Sequence, residues 1–343
     1  MSTLEPIAIV GISVEFPSGQ HSTSNLDHEA FFQFLLDKKE SYEKFPTTRF
    51  KEEIHKGPNL GEVITDVGSF LKDIADFDYV EFGITAKDAK AMAVSTRKLI
   101  ETTFLALLDS GIDYRNRNVG CYMAAVAFDT TTIGHADELE PRGTFAGYPY
   151  MVANKISYHL DLLGPSIPLD TACSSTMTAV HLAVQALRSG DCEAAVVGGC
   201  QLNHRYLDFI QYSQGSILAP DGKCKPFDVS ANGFSRSEGV GVIVLKPLSR
   251  ALKEGDHIYA SILGTGINNS GSEAPVYAPV ASAQIDAMRR AYKDTGRNPT
   301  EVDYVELHAT GTAAGDPIEA NWVGSIFGRN NELVVGSVKG SIG

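Results

Sequence analysis

A short extended run turns into a long helix through Leu169-Asp170-Thr171-Ala172-Cys173-Ser174-Ser175. The small side chains of this segment let the backbone bend sharply, and they leave room for a substrate beside Cys173. Such a turn has the geometry of the nucleophile elbow of hydrolases. A thiol at a helix N-terminus also lies at the positive end of the peptide dipoles, which favours the thiolate. The segment therefore makes Cys173 a candidate nucleophile.

Strand-like and helix-like segments alternate on both sides of this turn. Short apolar runs predict strands at Ile7–Val10 (closed by Gly11), Val119–Val126, Ile167–Leu169, Ala194–Val197, Val240–Leu245, Ile258–Leu263, Val302–Leu307 and Leu333–Ser337. Apolar residues at helical spacing predict helices at Arg97–Leu108, Gly147–Leu160, Ser174–Arg188, Ala281–Tyr292 and Pro317–Phe327. The segment Ser174–Arg188 is apolar on several sides, which predicts a helix buried between layers, and Gly266–Pro279 predicts a long surface loop. The alternation predicts an α/β fold in which helices cover a largely buried sheet.

A second candidate group lies at the end of the predicted strand Val302–Leu307. His308 follows that strand and precedes the Gly/Thr-rich turn Ala309-Thr310-Gly311-Thr312. Open α/β sheets place their sites at the carboxyl ends of strands, and two hydroxyls beside an imidazole suit an extended polar ligand. A capping histidine bonded to the backbone is the alternative explanation. The chain has no H-E-x-x-H motif or paired-acid arrangement that would indicate a metal.

Composition and charge narrow the class of protein. The chain has 343 residues, with 29 Lys and Arg against 42 Asp and Glu, which gives a formal net charge of −13. Such an acidic surface repels phosphate groups and predicts that neither nucleic acid nor an anionic membrane is a partner. No apolar run is long enough to span a bilayer, and Met1–Glu5 lacks the features of a signal peptide. The sequence thus predicts a soluble, cytoplasmic protein.

The five cysteines are Cys121, Cys173, Cys192, Cys200 and Cys224, and no pair has C-x-x-C spacing. The default for an unpaired cysteine in such a protein is a small buried hydrophobe. We expect four of them to have that role and Cys173 to be the exception.

Taken together, these segments resemble a known family. Asp170–Ser175 is similar to the nucleophile motif of β-ketoacyl synthases, and His308–Thr312 followed by Gly315-Asp316-Pro317-Ile318-Glu319 is similar to their first histidine motif. Gly336–Gly343 resembles their lysine motif, and further matches occur at Pro6–Gly11, Pro220–Asp228 and Ser237–Gly241. The resemblance is closest to the ketosynthase domain of type I polyketide synthases, fungal ones in particular.

The resemblance implies a thiolase-like layered fold (α/β/α/β/α). It implies an N-terminal ketosynthase half at 1–250, which carries the nucleophile, and a partial C-terminal half at 251–343, which carries the His and Lys motifs. A homodimer and acyl carrier protein as partner are also implied. No directly bound cofactor or metal is expected, because phosphopantetheine on the carrier protein presents the acyl and malonyl thioesters.

The family's roles pass to five residues of this chain. By resemblance, Cys173 carries the acyl group, and His308 assists decarboxylation of the malonyl unit. Lys339 would orient or charge-balance the histidines, while Thr310 and Thr312 would hydrogen-bond the pantetheine arm. The implied reaction is a decarboxylative Claisen condensation that extends an acyl chain by two carbons.

Departures from the family pattern keep an alternative open. The family's second catalytic histidine directly follows the glycine that corresponds to Gly343, so the second half is expected to be truncated. Ala309 and Ser341 replace the family's usual glycine and asparagine, and Ser235 and Ser237 lie in a turn usually richer in glycine. The alternative is an inactive ketosynthase fragment or a non-condensing dimerisation or binding module. A thiol hydrolase is disfavoured, because no Asn or Asp lies in a recognisable orienting position.

Overall fold

Strands and helices alternate along the chain, in agreement with the sequence pattern. The computed structural model describes residues 4–47, 49, 55–125, 148–275, 278–328 and 332–343, so Val126, Gly147 and Val276–Tyr277 of the predicted segments lie outside the described residues. The strands are β1 Ile7–Glu15, β2 Glu43–Lys44, β3 Val67–Gly68, β4 Val119–Ala125, β5 Ser166–Leu169, β6 Ala194–Gln201, β7 Gly239–Pro247, β8 Ala260–Ile262, β9 Tyr304–Glu306 and β10 Val334–Gly336. The helices are α1 His28–Leu36, α2 Ala86–Ala91, α3 Val94–Ser110, α4 Pro149–Leu160, α5 Ser175–Ser189, α6 Tyr206–Gln214, α7 Leu248–Glu254, α8 Ala281–Tyr292, α9 Gly315–Phe327 and α10 Lys339–Ile342.

A six-stranded mixed sheet forms the centre of the fold, with strand order β5-β4-β6-β7-β1-β8, and its edge strand β8 comes from the chain after residue 250. The pairs β4–β5 and β4–β6 are parallel, whereas β6–β7, β1–β7 and β1–β8 are antiparallel. Because β4, β5 and β6 run the same way, their carboxyl ends meet at one edge of the sheet. The turn that carries Cys173 leaves β5 at that edge.

Helices cover both faces of this sheet. Val196 of β6 packs in the same cluster as Leu99 of α3 and Ile156 of α4. Its neighbour Val197 packs on the opposite face with Ala183 of α5. Neighbouring residues of a strand point to opposite faces, so a strand that is apolar throughout has to be covered twice. The predicted α/β architecture with a buried sheet is thus observed.

Helix α5 is buried on one face only, and the prediction of burial on several sides is wrong for part of it. Ala183 and Val184 pack against the sheet, whereas Met177, near the start of the helix, is 68% exposed. Contacts from the second half reach the opposite face further along the helix. His181 Nδ1 lies 2.8 Å from Thr265 Oγ1, and Arg188 donates to the Leu263 carbonyl at 3.0 Å.

Gly11 does not end the first strand, as the sequence analysis expected. Strand β1 continues through it to Glu15, and the pairing with β7 shifts register between Ile9 and Gly11. The glycine is needed because α3 crosses the strand closely here. A Cβ at this position would lie 2.4 Å from the carbonyl oxygen of Ala106 and 2.7 Å from Ser110 Cβ.

Strands β9 and β10 and helix α9 form a second, small α/β unit. Strands β9 and β10 pair in parallel, with Val305 opposite Val335. Leu307 packs beside them in a buried cluster with Val323 and Phe327 of α9. The parallel pair again brings two carboxyl ends together, and these lead into the His308 loop and into α10. Across the described ranges, every helix is too short or too polar to cross a membrane.

Two glycine-to-alanine changes with opposite expected results test this packing. Gly11→Ala should lower the free energy of unfolding by about 1–3 kcal/mol, since the added methyl group meets the backbone of α3. Gly324→Ala, within α9, should raise it by about 0.5–1 kcal/mol, because alanine favours the helix and a Cβ there meets no described atom within 4 Å. Urea denaturation measures both. A Gly11→Ala chain as stable as the parent would show that α3 does not pack as closely as described.

Candidate active site

Cys173 lies on a tight turn between the end of β5 and the start of α5. Ala172, the preceding residue, has a φ of +57°, which is uncommon for a residue with a side chain. The turn is held by the Ala172 N–H, which donates to Asp170 Oδ1 at 2.9 Å, and by the Ser175 hydroxyl, which donates to the Ala172 carbonyl at 2.6 Å. The sharp bend predicted from the small residues is therefore present, and it leaves Cys173 exposed.

Cys173 opens onto a cavity of about 960 Å³. One wall is apolar, and a second is the segment 235–241 before and at the start of β7. The lining also includes Gly343, at the end of α10. Residues on these walls include Phe16, Tyr212, Ile217, Phe234, Ser235 and Glu238. A cavity of this size has room for an extended ligand beside the thiol.

The remaining four cysteines are buried, as expected. Burial raises the pKa of Cys121 to about 12 and that of Cys192 to about 11. Burial also raises the pKa of Cys224, whose sulfur accepts the Ser235 N–H at 3.2 Å. Cys200 lines the cavity wall with little of its surface exposed. Cys173 therefore differs from the other thiols in its access to solvent.

The His308 loop is fixed by the carboxylate of Glu319 in α9. Its two oxygens accept the backbone N–H groups of His308 and Ala309, each at 2.8 Å. Ala309 is buried and has a φ of +27°, in the left-handed region that favours glycine. Glycine adopts this conformation without strain, which is a physical reason for the glycine that the resemblance implies at this position. The hydrogen bond to Glu319 and the packing of the loop keep Ala309 in this strained conformation.

Asp316 holds the other end of the same loop. Its buried carboxylate accepts the N–H groups of Gly311 at 3.2 Å and Thr312 at 3.3 Å. It also accepts the Phe227 N–H at 3.0 Å, and Phe227 belongs to the first half. Asp316 and Glu319 both occur in the histidine motif, and neither was assigned a role from the sequence.

Thr310 and Thr312, which follow His308 in the same loop, remain partly accessible. Thr312 Oγ1 accepts the Gly315 N–H at 3.2 Å, and the two threonine hydroxyls lie 3.5 Å apart. Their contact with a ligand stays a prediction.

His308 is exposed to solvent, although the protein around it partly desolvates the ring. This desolvation lowers the pKa of His308 below its usual value, and the positive charge of Lys339 lowers it further. The carboxylates of Glu319 and Asp316 act in the opposite direction. The net effect lowers the pKa of His308, which favours the neutral form of the imidazole.

Lys339 is the first residue of α10, and its charge acts on His308. The structure therefore brings these two predicted site residues together. The residues described as lining the cavity beside Cys173 include Gly343 but not His308. Helix α10 connects His308 with the Cys173 cavity. It begins at Lys339, whose charge acts on His308, and Gly343 directly after it lines the cavity.

The cavity wall contains a buried ion pair that the sequence analysis did not identify. Glu238 accepts two hydrogen bonds from Arg49, at 2.7 and 3.0 Å, and the backbone N–H groups of Leu71 and Asn203. Its side chain is completely buried. The one signal in the sequence for this ion pair is the position of Glu238 within Ser237–Gly241, a segment that resembles a family motif.

Comparison with family models gives two matches. The model for the N-terminal domain of β-ketoacyl synthases matches residues 4–251, and the model for their C-terminal domain matches residues 259–343. A highly reducing polyketide synthase of Strobilurus tenacellus is 56% identical over 339 residues, which is 99% of this chain and 12% of that protein. A phenolphthiocerol/phthiocerol polyketide synthase subunit of Mycobacterium tuberculosis is 38% identical over 351 residues, or 18% of its length.

Solved structures agree with this match. A ketosynthase from module 6 of the bacillaene synthase of Bacillus subtilis superposes with a TM-score of 0.86 at 32% identity, covering 98% of this chain and 57% of that one. The oxazolomycin ketosynthase domain of Streptomyces albus superposes with a TM-score of 0.89 at 30% identity, covering 98% and 59%. These neighbours confirm the thiolase-like fold. The chain spans less than a fifth of the curated relatives named above.

Cys173 should be the first of the five thiols to react with iodoacetamide near neutral pH. The thiolate is the reactive form, and burial both raises the pKa of Cys121, Cys192 and Cys224 and shields those thiols from the reagent. Peptide mapping after brief exposure measures the order of labelling. Earlier labelling of Cys121 or Cys224 would contradict the exposed turn described here.

Proposed function

The chain belongs to the β-ketoacyl synthase family, and from that premise we propose that it acts as a ketosynthase of polyketide synthesis. The proposed reaction joins an acyl group and a malonyl unit by decarboxylative Claisen condensation. The observation that carries the proposal is the exposed Cys173 on a strained turn, at the wall of a cavity of about 960 Å³.

In the first step, the Cys173 thiolate attacks the carbonyl carbon of an acyl thioester on phosphopantetheine. The new C–S bond forms first, and the pantetheine C–S bond breaks when the tetrahedral intermediate collapses, after which the departing thiolate takes up a proton from water. The Cys173 backbone N–H is one donor for the oxyanion of the tetrahedral intermediate. The thioester supplies the activation, so this step uses no diffusible cofactor.

In the second step, a malonyl thioester loses carbon dioxide, and the electron pair of the broken bond forms an enolate. The enolate carbon attacks the acyl-Cys173 carbonyl, and the cysteine leaves as thiolate. His308 assists decarboxylation and stabilises the enolate oxygen by hydrogen bonding. A neutral imidazole suits this role, and the lowered pKa of His308 supports it. Lys339 acts on the charge of His308 without touching substrate.

Acyl carrier protein is the proposed partner that presents both thioesters. Thr310 and Thr312 would hydrogen-bond its pantetheine arm, since both are partly accessible next to His308. The carrier protein and its prosthetic group are substrates here, which agrees with the polyketide synthase relatives.

A homodimer is the proposed assembly. Among the strands that the structure describes, β5 is the last at one side of the central sheet. Large apolar side chains are exposed on it and around it, with Ile167 37%, Leu163 60% and Tyr158 79% exposed. An apolar strand edge favours pairing with another strand, and a second copy offers the same edge across a two-fold axis. The dimer would therefore extend the sheet through two β5 strands.

Incubation with an acyl-pantetheine thioester should place one acyl group on the chain, at Cys173. Intact-mass spectrometry followed by peptide mapping measures the stoichiometry and the position. Cys173→Ala should remove the adduct. Cys200→Ala is the matched control, because Cys200 lines the same cavity but is buried, and it should leave acylation unchanged.

Acylation of a Cys173→Ala chain at the parent's level would overturn the assignment of the nucleophile. An adduct that depends on Cys200 instead would do the same.

A further inference from the structure

The hydroxyl of Tyr42 connects the N-terminal part of the chain to helix α10, which begins at Lys339. It donates a hydrogen bond to the backbone carbonyl of Lys339 at 2.7 Å and accepts the backbone N–H of Cys224 at 3.1 Å. Tyr42 and Lys339 are 297 residues apart in sequence. Removing this one oxygen would leave both backbone groups without that partner.

Ser41 makes a second attachment to the same helix. Its backbone N–H donates to the Ser341 carbonyl at 2.8 Å, and its hydroxyl lies 3.3 Å from that oxygen. The hydroxyl is also bonded to Ser69 Oγ at 2.8 Å, and Ser41 is fully buried. Ser41 and Tyr42 together therefore bind two backbone carbonyls of the one-turn helix α10, those of Ser341 and Lys339. We name these two residues the Ser41–Tyr42 clamp.

The clamp is also attached to the wall of the Cys173 cavity. Cys224, whose N–H bonds to Tyr42, accepts the Ser235 N–H through its sulfur at 3.2 Å. Ser235 lines the cavity, and a Cβ placed on Gly343 would lie 3.3 Å from its carbonyl oxygen. A continuous set of contacts thus runs from the cavity through Cys224 and Tyr42 to Lys339.

Tyr42 is suited to a fixed role in this set. Burial raises the pKa of its phenol well above the usual range, so the hydroxyl stays protonated and continues to donate at any physiological pH. Tyr42 is not among the described residues that line the cavity, so its contribution would pass through Lys339 and Cys224. A helix of four residues has little stability of its own, and it depends on such outside contacts.

We propose that Tyr42 is a positioning residue, which sets the place of Lys339 beside His308 and relative to the Cys173 cavity. The importance of that placement for catalysis rests on the proposed function. The placement itself is a physical property of the chain and is tested without turnover.

The experiment measures the pKa of His308 by NMR titration of the chain labelled with ¹³C-histidine. The signal is assigned by its loss in His308→Gln. In Tyr42→Phe, α10 loses one attachment and the Lys339 ammonium moves away from the imidazole, so the pKa of His308 should rise. Glu319 and Asp316, the acidic groups that act on His308, stay in place and favour the same direction.

A double-mutant cycle separates positioning from a general loosening of the fold. Lys339→Met should itself raise the pKa of His308, and adding Tyr42→Phe should then change it no further. Tyr259→Phe is the matched control, because its hydroxyl bonds to Asp109, outside the described cavity lining and the His308 loop. It should leave the His308 pKa unchanged.

An unchanged His308 pKa in Tyr42→Phe would overturn the proposal, and so would an equal shift with and without Lys339. If thermal melting shows that Tyr42→Phe does not fold, Tyr42→Met, which removes the same hydroxyl, replaces it, with the same expected rise and the same opposing result. Acylation of Cys173 is measured in parallel in the parent chain. Its failure would count against the proposed function and leave the positioning result intact.

Discussion

The buried carboxylate of Asp316 holds the histidine loop against the turn that contains Phe227. On one side it accepts N–H groups from Gly311 and Thr312 of the histidine loop, and on the other it accepts the N–H of Phe227. An ionised carboxylate without donors would be costly to bury, and these three hydrogen bonds offset that cost. The turn that contains Phe227 leads back to Ser235 at the cavity wall. The position of the histidine loop relative to Cys173 therefore depends on this carboxylate.

Backbone strain occurs beside both proposed reactive groups. Ala172 precedes Cys173 and Ala309 follows His308, and both have positive φ. Residues in such conformations cost about 1–3 kcal/mol each and persist where the surroundings fix them. Here Asp170 and Ser175 hold the first, and Glu319 holds the second. In each case the bend presents the reactive side chain at the end of a strand.

The sequence predicted most elements, because their signals are local. The apolar run at Ala194–Val197 and the helix at Ala281–Tyr292 are both found, and the exposure of Cys173 followed from the small residues around it. What sequence reasoning missed depends on distant contacts. The close crossing of α3 gave Gly11 its role, and Tyr42 meets its partner across 297 residues. Neither periodicity nor residue spacing along the chain indicates such a contact.

The central claim is that Cys173 and His308 serve two separable half-reactions. The direct test is His308→Ala in a chain that continues past Gly343 through the family's second histidine. Acyl transfer to Cys173 and release of carbon dioxide from malonyl-carrier protein are measured side by side. The account predicts that carbon dioxide release falls by about 10²–10⁴-fold while acylation of Cys173 is largely retained. An equal loss of both half-reactions would contradict it and would give His308 a structural role.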